Sequence, residues 1–125
     1  NTVTNEITVP DIGTVRRVIL RINVTADNDA DLDITLRSGA NTSILVTSDN
    51  GSSGDNYTNT RFRQAATNNV TSGSAPFNNE YKPEGNFDGF NGALAAGVWR
   101  LTVTDDNSQG GNGSLNAFQL AICAN

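Results

Sequence analysis

An all-β, jelly-roll-like β-sandwich of about eight short strands is the fold this sequence predicts, and three observations predict it. Asn, Thr, Ser and Gly are in excess, with no Met and little of the Ala-Leu-Glu-Lys vocabulary of helices, which favours strands and turns. Apolar residues recur at every second position in several short segments, and nowhere at sustained helical spacing. Turn-forming clusters at 27–30, 48–56, 72–76 and 105–113 separate those segments. Strands with one apolar face must cover it, and two packed sheets do so.

Residues 6–9 give a first, weak strand. Val18, Leu20, Ile22 and Val24 then share one face of a second, with Arg17, Ile19, Arg21 and Asn23 on the other. Leu32, Ile34 and Leu36 repeat the pattern, with Asp31, Asp33, Thr35 and Arg37 facing away. Runs at 44–47 and 60–63 are weaker strands. Trp99, Leu101 and Val103 form a third stripe, which places Trp99 in the core, and Phe118, Leu120 and Ile122 form a fourth. The stretch 68–96 reads as long and irregular, and such a segment is expected to be functional or pinned by its own side chains.

A length of 125 residues suits one domain spanning 1–125, large enough to fold without disulfides or a structural metal. Eight Lys and Arg against thirteen Asp and Glu leave a net charge of −5. The only close basic pair along the chain is Arg16-Arg17, so nucleic acid and acidic membrane surfaces are poor partners. No apolar run reaches the roughly 20 residues that span a bilayer. Histidine is absent, which removes the Ser-His-Asp and Cys-His constellations and the usual general base. No pair of Asp or Glu is placed by the sequence across a cleft, so no glycosidase dyad is assigned. Cys123, the single cysteine, reads as a strand-end thiol, with a bridge outside this segment as the alternative. The absent initiator Met suggests an excerpt from a longer chain.

The order of motifs carries a resemblance. Val9-Pro10-Asp11, Asp31 to Leu36, Ser48 to Asn56 and Asn59-Thr60-Arg61-Phe62 are followed by Ala75-Pro76-Phe77, Tyr81 to Gly85 and Phe87 to Gly92. Gly97 to Asp105 and Gly113 to Leu120 complete the series. Together, over roughly 7–122, they resemble the P domain, or P/Homo B domain, of secreted kexin- and furin-like subtilases and other bacterial peptidases. The resemblance implies a jelly-roll module that follows a catalytic peptidase domain, stabilises it, assists its hold on protein substrate, and affects its calcium and pH dependence. It implies a non-catalytic role, a secreted bacterial protein, and the peptidase domain of the same chain as partner. Two positions depart from the family: Arg63-Gln64 stands where many bacterial relatives carry two aspartates, and Phe118 where Trp is usual.

Calcium is the expected cofactor, at one of two oxygen-rich clusters. The first comprises Asp27, Asp29 and Asp31, with Asp105 and Asp106 at the end of the Trp99 strand; the second is Asp49, Gly51 and Asp55 in a Gly- and Asn-rich loop. The first is not an EF-hand, because Leu32 and Ser38 stand where the sixth-position glycine and twelfth-position glutamate are required. Solvated strand and turn residues account for the same pattern. Tyr57 and Tyr81, set among polar residues, are candidates for surface contacts, and on them rests the alternative reading, a carbohydrate- or matrix-protein-binding sandwich.

Overall fold

The computed structural model describes residues 2–26, 32–51, 54–105 and 114–125. Eight strands are found among them: β1 Thr2–Val9, β2 Val15–Thr25, β3 Leu32–Arg37, β4 Ser43–Ser48, β5 Tyr57–Phe62, β6 Glu80–Tyr81, β7 Gly97–Asp105 and β8 Ser114–Ala124. They form two four-stranded sheets, β1-β7-β3-β4 and β6-β5-β2-β8. The chain repeatedly crosses between the sheets, which gives the sandwich its jelly-roll-like character. All neighbouring strands are antiparallel except β5 and β6.

The period-two stripes become the core. Val18, Leu20, Ile22 and Val24 of β2 face Leu32, Ile34 and Leu36 of β3 and Trp99, Leu101 and Val103 of β7, all buried. Each large aliphatic side chain so covered contributes about 1.5–3 kcal/mol. A bulge between Ile34 and Thr35 in the β3–β4 pairing accompanies two consecutive inward residues of β4, Val46 and Thr47, both fully buried. The fourth stripe also turns inward, yet Phe118, Leu120 and Ile122 are only partly buried. Their strand is a sheet edge, and β1, the edge strand lying against it, brings only Ile7 and Val9 to the core on that flank.

The irregular stretch is pinned by aromatics. The ring of Phe77 stacks on Tyr57 at 4.7 Å and meets the edge of Tyr81 at 5.6 Å. Phe87 and Phe90, on a 3₁₀ turn at Phe87–Phe90, lie 5.6 Å apart, and Phe90 packs 5.2 Å from Trp99. Trp99 Nε1 donates to the Ala95 carbonyl at 2.8 Å, and the Gln64 side chain accepts from the Phe87 amide at 2.9 Å. Phe77 holds φ at 51°, a left-handed conformation costly for an aromatic residue. Burial of its ring between two tyrosines offsets that cost.

Tyr57 and Tyr81 therefore correct the expectation drawn from their polar neighbours: they are 1% and 8% exposed and belong to the core. Alternation explains the error. Each is the inward member of a strand whose outward members, Thr58 and Glu80, are polar.

Candidate functional surface

The sheets set two ends and two outer faces, and three of these regions carry features of note among the described residues. At the end where β7 finishes and β3 begins, Asp105 is buried in register with Leu32, and Asp33 accepts a hydrogen bond from Ser48 Oγ at 2.5 Å. Asp27, Asp29, Asp31 and Asp106 lie outside the described residues. The loop after β4 is closed largely by its own polar groups. Asn50 Nδ2 donates to Thr47 Oγ1 at 2.8 Å and to Glu84 Oε1 at 2.6 Å, and the Gly54 amide donates to the Gly51 carbonyl at 3.0 Å. Asp49 and Asp55 are exposed at its two ends. Among the described residues no three Asp, Glu, Cys or His side chains converge as a metal-binding group.

With Tyr57 and Tyr81 buried, neither ring supplies the platform a sugar-binding sandwich would use. Cys123 is a free, half-buried thiol facing outward on β8, with the Arg17 guanidinium 3.2 Å from Sγ. Among the described residues no helix is long and apolar enough to cross a membrane.

Opposite the acidic end, the turn from β1 to β2 and the approach to β7 carry Ile12, Leu94 and Val98, exposed by 44%, 61% and 46%. Backbone pairing draws them to one place: Thr14 bridges Leu94, the Ala95 amide donates to the Gly13 carbonyl, and Val98 pairs with Thr8. Gly97, with φ at +126°, brings the chain against Gly39, where an added Cβ would stand 2.9 Å from Gly39 Cα.

The outer face of the β6-β5-β2-β8 sheet is basic. Arg17 and Arg21 project from β2, Arg61 from β5, and Arg63 just past it, while Arg16 lies at the bulge that opens β2. Register sets Arg21 directly opposite Arg61. The sequence displays only the Arg16-Arg17 adjacency, because the juxtaposition of Arg21 and Arg61 depends on which strands pair. Alternation of Arg17, Ile19 and Arg21 on the polar side of β2 was the one available signal.

The family described as "Proprotein convertase P-domain" has a sequence model that matches residues 15–122. No curated protein matches. Solved structures that resemble the chain include the serine protease of Aeromonas sobria, alone and in complex with the chaperone ORF2. Each shares 21% identity, covers 99% of this chain and 20% of that chain, and superposes with a TM-score of 0.47. The chain thus spans about a fifth of the length of those proteins.

Proposed function

Since the chain belongs to the proprotein convertase P-domain family, we propose that it serves as the non-catalytic accessory domain of a secreted protease, packing against the catalytic domain and stabilising it. The observation that supports this most directly is what the shared motifs do. Phe77, Tyr81, Phe87, Phe90 and Trp99 all lie in the core, so the recurring signature maintains a scaffold and its surfaces. The exposed apolar end formed by Ile12, Leu94 and Val98 is the surface best suited to the contact, because a catalytic domain seated there would remove those side chains from water. A partner that binds only the folded state stabilises it by mass action.

Removing these residues from the protease that carries them should lower its secreted yield and its melting temperature. Leu94→Ser with Val98→Ser should reproduce part of that loss while leaving the 125-residue chain itself folded. Equal yield, melting and activity after removal would overturn the stabilising role.

Calcium belongs to the same proposal, at the sequence cluster Asp27, Asp29, Asp31, Asp105 and Asp106. That choice follows from the other loop, where Asn50 occupies Glu84 and the Gly51 carbonyl is taken. The role of the ion would be to offset repulsion among carboxylates crowded into one segment.

A further inference from the structure

We propose that the outer face of the β6-β5-β2-β8 sheet is a docking surface for an extended acidic peptide segment, with two carboxylates spaced four residues apart around a central apolar side chain. The charge distribution carries the first step. Five of the eight Lys and Arg residues of a −5 chain, Arg16, Arg17, Arg21, Arg61 and Arg63, gather at this face. Among the described residues, Glu80 is the one carboxylate in register with Arg61 of β5, and it is already 2.8 Å from Arg63 Nε. Asp88 stands at the rim of the cleft beside Arg16 and Arg17, within reach of the Asn91 amide.

Arg21 and Arg61 occupy directly opposed positions on adjacent strands, where like charges are destabilising. On the other sheet the comparable pair, Arg37 and Arg100, is relieved because Glu6 accepts from Arg100 at 2.6 Å. Glu80, in register with Arg61, turns to Arg63 instead, and among the described residues no carboxylate forms an ion pair with Arg21 or Arg61. A fold that keeps this arrangement holds it ready for an anion.

The shape of the face selects the kind of anion. Along β2, Arg17 and Arg21 are separated by four residues, roughly 13 Å in extended chain. Ile19 lies between them in register with Ala121, and a shallow pocket is lined by Ile19, Arg21, Arg61, Gln119, Leu120 and Ala121. A peptide running alongside β2 has the same period. Its first carboxylate meets Arg17, its third side chain covers Ile19 and Ala121, and its fifth residue meets Arg21 and Arg61. Nucleic acid fits less well, because the outward register positions of β2, β5 and β8 carry no aromatic ring on which a base could stack. The inference goes beyond the protease reading and stands without it, since it concerns a different surface.

The test uses the 125-residue chain and a fluorescein-labelled Asp-Ser-Leu-Ser-Asp peptide, read by anisotropy at low and moderate salt. Saturable binding is expected, weakened about tenfold or more by Arg61→Gln, weakened again when the peptide leucine becomes serine, and reduced by added salt. Arg61→Gln should at the same time raise the melting temperature of the free domain, because it removes the opposed charge. Arg21→Gln serves as an independent second variant. Absence of saturable binding, equal binding of Lys-Ser-Leu-Ser-Lys, or undiminished binding by either variant would overturn the proposal. Tighter binding of a single-stranded oligonucleotide or dextran sulfate than of the peptide would also overturn it, replacing it with a general polyanion surface.

Discussion

Two buried threonines should answer the same substitution with opposite signs. Thr47 and Thr60 are both fully buried strand residues facing the core. Among the described residues Thr60 Oγ1 has no hydrogen-bond partner, whereas Thr47 Oγ1 lies 3.3 Å from the Tyr57 hydroxyl and accepts from Asn50 Nδ2 at 2.8 Å. Valine matches threonine in shape and in preference for strands, so Thr→Val isolates the hydroxyl. An unsatisfied buried polar group costs about 1–3 kcal/mol, and breaking a satisfied bond inside the protein costs a similar amount. Thr60→Val is therefore expected to stabilise by about 1 kcal/mol, and Thr47→Val to destabilise by about 1–2 kcal/mol. Unfolding entropy of about 2.1 cal/mol/K per residue converts 1 kcal/mol into roughly 4 °C for this length. Calorimetry should place the two variants roughly 8–12 °C apart, on either side of the parent. If Thr60→Val melts lower than the parent, its hydroxyl is in use and the reasoning fails; if both variants shift the same way, hydrogen-bond satisfaction is not what separates the two sites.

Trp99→Phe should cost about 3 kcal/mol, combining lost ring volume with a buried Ala95 carbonyl left without its donor, and chemical denaturation should show it as a lower midpoint at unchanged slope. Gly97→Ala should cost about 2 kcal/mol, because the new Cβ meets Gly39 at 2.9 Å in a backbone conformation L side chains rarely adopt; a melting temperature within 2 °C or so of the parent would refute that account. Calcium at about 100 times its Kd should raise melting by roughly 10 °C. Asp31→Asn should abolish most of that rise and Asp49→Asn little of it. Superimposable melts before and after EDTA, at fixed ionic strength, would remove calcium from the proposal.

How far a residue could be read from the sequence followed how many of its constraints are local. Leu20, Ile34 and Leu101 are legible because alternation alone assigns their face, and both sheets then cover them. Phe118 alternates just as clearly, but its partial exposure depends on β8 being an edge strand, which is a matter of pairing order. Tyr57 and Tyr81 mislead because each is a lone inward aromatic beside polar neighbours, and its true partner, Phe77, is held across a connection that local pattern cannot close. Departure of Arg63-Gln64 from the family's aspartates is visible in the sequence; that Gln64 instead holds the Phe87 amide and Arg63 meets Glu80 is not. The opposition of Arg21 and Arg61 likewise arises between segments forty residues apart.

The position of β7 between β1 and β3 has a consequence for the order of events during synthesis. Thr2 pairs with Thr104 and Leu32 with Asp105, so neither β1 nor the β3–β4 hairpin is joined into its sheet until β7 has emerged. Val15 pairs with Ala124 in the second sheet, so β2 gains its second neighbour only when β8 has emerged. Contacts between segments so distant along the chain slow folding, because loop closure must come before they return any stability. Synthesis in chain order therefore leaves the β7-facing edge of β3 unpaired until residues 97–105 emerge, and completes both sheets nearly together.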